Sequence, residues 1–154
     1  MDSTVGMLRH TLATLAYRAG KTLRDAPPEF SDFRAESVLG LGPARTPVEI
    51  LAHMGDLFDW AILLADGRHE WHNSPALAWG DEVTRFFRCL NAFDQRLAEG
   101  KPLGFPSEKL FQGPIADALT HTGQIAMLRR MAGCPIRGEN YFTAGIECGR
   151  VGVQ

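Results

Sequence analysis

The sequence predicts an all-α fold: a four-helix bundle with a long crossover connection after the first helix and an extended C-terminal strap. Four stretches place apolar residues at alternating spacings of three and four, the pattern of helices that bury one face. No stretch alternates with period two as a half-buried strand does. The chain has 154 residues, 45% hydrophobic and 22% charged, which predicts one domain over 1–154 with its own core and excludes a disordered chain.

In the first stretch Val5, Leu8, Leu12, Leu15 and Ala19 share a face, with Asp2 or Ser3 placed to cap it. Residues 24–45 break the pattern with Pro27-Pro28, Gly40, Gly42 and Pro43, and are expected to cross the fold. The second helix opens on Thr46-Pro47-Val48-Glu49, with a capping Thr, Pro at the first helical position and Glu where a capping box requires it. Its stripe runs Ile50, His53/Met54, Leu57, Ala61 and Leu64, and Asp66-Gly67 ends it. Residues 68–79 mix aromatics, His and Pro without periodicity and read as a loop rimming a pocket. The third helix follows Gly80-Asp81 with Val83, Phe86, Leu90, Phe93 and Leu97 on one face, until Gly100 and Pro102. The fourth is expected from Gly113-Pro114 to Gly133, with Ala118, His121, Ile125, Leu128 and Ala132 inward. The tail from Cys134 reads as a strap anchored by Tyr141, Phe142 and Ile146.

Sixteen Lys+Arg against 18 Asp+Glu give a net charge of -2, which argues against nucleic acid or an anionic membrane as partner. The amino terminus has no basic-flanked apolar core with a cleavage site, and no apolar run reaches the ~18–20 residues of a membrane span, so a cytoplasmic protein is expected. Cys89, Cys134 and Cys148 are widely spaced without a CxxC and read as structural.

The chemistry concentrates in the histidines. His53 falls on the apolar face of helix two, and Asp117 and His121 lie one turn apart on one face of helix four, so carboxylate and imidazoles converge on one point of the bundle. Two imidazoles and a carboxylate suit zinc, nickel, iron or manganese, and three protein ligands leave positions open for water or substrate. The same residues also admit a reading as hydrogen-bonded core histidines and a carboxylate favoured by a helix start.

The stretch Asp117-Ala-Leu-Thr-His121-Thr-Gly-Gln124-Ile-Ala-Met-Leu-Arg-Arg-Met-Ala-Gly133, with Leu51-Ala-His53 on an earlier helix, resembles the DinB-like (DinB/YfiT) family of metal-binding four-helix proteins. The resemblance covers the four helices and, more loosely, the tail from Arg137-Gly-Glu-Asn-Tyr141. It implies a long crossover, a homodimer, and a divalent metal held by one His of helix two and an HxxxH pair of helix four. His53 matches the first ligand and His121 the last, while Asp117 stands where the family has His. The ligand set His53, Asp117 and His121 therefore keeps the capacity to ligate but changes charge and hardness, with zinc or nickel ahead of iron or manganese.

Other candidates are subordinate. His69 and His72 flank Glu70-Trp71 in the loop and read as solvated rim more readily than as a second metal site. His10 lies off its stripe and is expected at the surface or a subunit contact. Gln124 is placed to hydrogen-bond a ligand or a bound water, or to serve as polar helix surface, and Asp56 and Glu49 are placed to orient His53 or to serve the helix surface and start. Arg129-Arg130 fits a helix carboxyl end. Tyr17, Trp60 and Phe87 lie off the main stripes, available to a second subunit or to the chain's own tail and loop.

The resemblance implies a metal-dependent enzyme, a thiol-dependent S-transferase acting with a low-molecular-weight thiol on a small-molecule substrate. Metal-assisted hydrolysis is the second chemistry. A non-catalytic or degenerate bundle acting in association or small-molecule binding is the alternative, because Asp117 departs from the family and no further acid or base stands out.

Overall fold

The computed structural model describes residues 3–36, 40, 42 and 44–153, and no strand occurs among them. The expected Asp2 cap and the expected break at Pro43 lie outside the described residues, and Ser3 is the first described residue of α1 (Ser3–Leu23). This helix buries Leu8, Leu12, Leu15 and Ala19 as its periodicity requires, with Val5 packed at the margin. It ends where Asp25 takes φ 56, a left-handed position more often given to Gly.

Within the connection a 3-10 turn, Pro28–Asp32, drives Phe30 into the core, where its ring meets Trp79 edge-on at 5.7 Å. Helix α2 (Pro47–Ala65) starts with the expected capping box. Thr46 Oγ1 accepts from the Glu49 N–H, and Glu49 Oε2 accepts from the Thr46 N–H at 2.7 Å. It ends at Asp66 with Gly67 at φ 80. Helix α3 (Trp79–Ala98) starts slightly before the expected Gly80-Asp81 and buries Phe86, Leu90, Phe93 and Leu97. The loop behind it docks on the end of α2: Gly104 N–H donates to Ala65 O at 2.9 Å, and a Cβ on Gly104 would lie 2.1 Å from Gly67 N. Only glycine fits there.

The fourth helix does not begin at Gly113-Pro114. Helical structure starts at α4 (Ser107–Leu110), widens into a π-turn over Phe111–Ile115 and continues as α5 (Ala116–Met131). Gly113-Pro114 carries the composition of a helix start, but proline lacks an N–H and crowds the preceding turn. The π-turn accommodates it without ending the helix.

The core joins α1, α2, α3 and α5 around Leu12, Leu51, Phe58, Phe86, Phe93 and Ile125, all fully buried. Phe87 is in it, so that side chain serves the chain's own packing and offers nothing to a second subunit. The tail is pinned by Glu139, which accepts from Lys21 at 2.6 Å and from Tyr17 at 2.5 Å, and by Tyr141, which packs edge-on to Tyr17 beneath Arg18. Phe142 is 97% exposed and anchors nothing, because the 3-10 turn Tyr141–Thr143 directs it away from its neighbour; Val151, 1% exposed, is the buried anchor. Among the described residues no helix is long and apolar enough to cross a membrane.

Candidate metal centre

His53 stands one residue before buried Met54 on α2, so its ring falls at the edge of the buried stripe with its side chain 22% exposed. Asp117 and His121 stand one turn apart on α5 and face it. Their placement depends on the π-turn. The Ala116 N–H is already bonded to Gly113 O and Phe111 O, so Asp117 lies inside a continuous helical run and no open helix start accounts for a carboxylate there.

One carboxylate oxygen serves both rings. Asp117 Oδ2 is 3.4 Å from His53 Nε2 and 3.4 Å from His121 Nε2, and the three donor atoms all lie within 4.8 Å of one another. At 3.4 Å the His53–Asp117 contact is a long, weak hydrogen bond. The same spacing also suits two donors on one small divalent ion, since metal bonds of about 2.0–2.1 Å at a tetrahedral angle separate their ligands by about 3.4 Å. The imidazole rings are nearly perpendicular, 87° with centroids 4.9 Å apart, so both nitrogens reach the shared point without ring overlap. The donor set therefore fits a divalent ion.

The electrostatics agree with a ligand role. Burial pushes the His53 pKa below its ordinary value; the Asp117 hydrogen bond opposes this, and the neighbouring His121 and Arg45 add to the lowering. His53 is thus neutral at pH 7, with a lone pair to give. His121 Nδ1 lies 2.8 Å from Gln124 Oε1, so with Nδ1–H donating to that amide oxygen Nε2 faces the cluster as a donor of electrons. Of the alternatives its spacing leaves open, Gln124 takes the hydrogen bond to His121.

The 68–78 loop walls the site. Trp71 packs on His53 with centroids 5.4 Å apart and is held by Nε1–H donation to Asn73 Oδ1 at 3.0 Å. Behind it Trp60 meets Trp71 edge-on and stacks on His69. Trp60 is therefore covered by the chain's own loop. His69 and His72 are exposed and remain outside the three-residue cluster, as rim residues; His10 is exposed on α1.

Sequence reasoning missed the layer behind the site. Arg85 on α3 donates to Asp56, to Asp59 Oδ2 at 2.8 Å, to Ser74 Oγ at 3.3 Å and to Ala52 O at 3.1 Å, and it pairs with fully buried Glu82. Asp56 also accepts from the Ser74 N–H, and Glu82 from the Leu77 N–H, so one guanidinium ties α2, α3 and the loop together. Asp56 is thereby engaged with Arg85 and Ser74, and Glu49 with its cap; neither has His53 as its hydrogen-bond partner. The signal in the sequence is Gly55 beside Asp56: a Cβ at Gly55 would lie 2.6 Å from Arg85 Nη1. Cys89 is buried, donates to Asp59 and has its thiol pushed up to about 11, chiefly by burial, which makes it inert as read.

No family model, curated protein or solved structure matches this chain.

Proposed function

We propose that the chain is a DinB-like, divalent-metal-dependent enzyme whose ion is held by His53, Asp117 and His121. The supporting observation is the convergence of three neutral or anionic donors from two helices within 4.8 Å. Three protein ligands leave open coordination positions, as catalytic rather than structural sites do. Neutral imidazoles with one carboxylate favour zinc or nickel over the harder ions. Such an ion supplies Lewis acidity, which activates a bound water or thiol near neutral pH. The helix order, the long connection after α1 and the residues Leu51-Ala-His53 and Asp117 to Gly133 support the family reading and, with it, a four-helix bundle that forms a homodimer in the cytoplasm.

Thiol-dependent S-transfer to a small molecule is the chemistry of this proposal, with hydrolysis by metal-bound water as the second. Metal analysis after purification without chelator tests the centre: about one zinc or nickel per chain is expected for the wild type, and little for His53→Ala or His121→Ala. No stoichiometric metal in the wild type overturns the enzyme reading in favour of a non-catalytic bundle. Cobalt substitution then separates the two chemistries. A charge-transfer band appearing on addition of a small thiol supports S-transfer, and its absence favours water as nucleophile. Light scattering tests the dimer.

A further inference from the structure

Two depressions open beside the His-Asp-His cluster, and they differ in kind. One, about 160 Å3, runs from His53 past Glu49, Asp56, Asn73 and Ser74 and is walled mainly by polar groups. The other, about 490 Å3, runs from His121 and Gln124 along Ile50, Met127 and Leu128 and is almost wholly apolar. A volume in this range, apolar with a few convergent polar groups, is that of a small-molecule site.

Arg45 lines both. It is exposed just ahead of the α2 cap and is the one Lys or Arg among the residues lining either depression. The acids of the polar wall are engaged, Glu49 in the cap and Asp56 with Arg85 and Ser74. Arg45 itself has no hydrogen-bonded or ion-paired partner among the described residues, and its charge acts at a distance on His53 and Glu49. A guanidinium in that position presents a planar donor fork to the mouth of an apolar groove, the arrangement that recognises a carboxylate with hydrocarbon behind it.

We infer that this face binds a small monocarboxylate with an apolar body, its carboxylate on Arg45 and its hydrocarbon along Ile50, Met127 and Leu128. The inference names a substrate class for the metal reading and rests on that reading for its place beside the reacting centre. A divalent ion held by neutral imidazoles and one carboxylate keeps an unbalanced positive charge, which adds to that of Arg45 and favours an anion further.

The test compares 4-phenylbutyrate with its neutral amide, titrated calorimetrically against zinc-free and zinc-loaded wild type and Arg45→Gln. In zinc-free wild type the acid is expected to bind about tenfold more tightly than the amide, a preference that Arg45→Gln reduces to about unity. Arg45→Gln is expected to retain zinc binding, with an affinity equal to or somewhat above that of the wild type, because the positive charge acting on His53 is removed. Met127→Glu, which removes part of the apolar wall at an exposed position and sets there a charge like that of the acid, is expected to weaken both ligands and the acid more than the amide. Equal binding of acid and amide, an undiminished preference in Arg45→Gln, or no binding of either overturns the inference. Failure of the wild type to bind zinc overturns the metal reading alone, because the Arg45 effect is read in the zinc-free protein.

Discussion

His53 and Asp117 are 64 residues apart in the chain, yet they bring Nε2 and Oδ2 to 3.4 Å across the α2–α5 interface. His121 approaches the same oxygen at the same distance, so Asp117 is the common corner of the donor triangle. Asp117→Ala is therefore expected to weaken zinc binding more than ~100-fold, beyond the cost usual for a group that merely orients a ligand. Asp117→His should retain binding, because i and i+4 imidazoles on one helix face still converge with His53. Competition titration with a chromophoric chelator reads both; an Asp117→Ala affinity equal to the wild type would remove Asp117 from the ligand set.

The lowered pKa of His53 sets the sign of a pH effect. Its ring in the folded, metal-free protein gives up its proton below the unfolded value of about 6.5, so between those two values the unfolded chain binds more protons. His53 thus costs no stability above about pH 6.5, and its penalty grows as pH falls toward the folded value. Proton NMR of the metal-free protein should show the His53 ring titrating below about 6.5. At pH 7 zinc should displace only a minor fraction of a proton from it. A midpoint above that value would reverse the argument, because burial would then have lost to the Asp117 hydrogen bond.

The helices and the two inward histidines were legible because apolar spacing and capping chemistry are local. Thr46 and Glu49 form the capping box that their types require, and Gly67 ends α2 with a positive φ. What escaped depends on partners far along the chain. Gly113-Pro114 reads as a start, yet Leu110 and Ile115, both fully buried, pack that segment into a helix already under way. Phe142 is aromatic but ends outward, while Val151, ordinary in type, is buried. Arg85 lies off its apolar stripe, and its acidic partners Asp56, Asp59 and Glu82 surround it only once α2 and α3 pack together.

That arginine carries the third prediction. Asp56 is 5% and Glu82 0% exposed, so Arg85→Met leaves two buried carboxylates without their cation and is expected to destabilise the fold by about 3–5 kcal/mol. Gly55→Ala should act through the same contact, because its Cβ would lie 2.6 Å from Arg85 Nη1 and push the guanidinium from Asp56. Urea unfolding measures both. A Gly55→Ala protein as stable as the wild type would mean that the helix gain of alanine outweighs the displaced arginine.

The cysteines divide by environment. Cys89 is buried against Asp59 with its thiol pushed up to about 11, whereas Cys148 is exposed. A chromogenic disulfide reagent at pH 8 should label Cys148 within minutes and Cys89 only after unfolding, since the thiolate is the attacking form. Mass-spectrometric mapping assigns the sites. Rapid labelling of Cys89 in the folded protein would show that α2 and α3 part locally.

Arg129 and Arg130 are neighbours in sequence and opposites in structure. Arg130 is exposed on α5, while Arg129 is buried and gives its guanidinium to Thr22 O at 2.9 Å, Arg24 O at 2.7 Å and Cys134 O at 2.9 Å. It thereby closes the carboxyl end of α1, where carbonyls lack helical partners and the helix dipole favours a cation. The same contacts fix the start of the tail. Arg129→Met keeps much of the side-chain volume but strands those carbonyls, at an expected cost of about 3 kcal/mol, against about 0.5 kcal/mol or less for Arg130→Ala. Thermal unfolding of the two variants tests the contrast. Equal losses would place the stabilisation in the charge that both arginines carry in the last turn of α5, since the bonds to the α1 carbonyls belong to Arg129 alone.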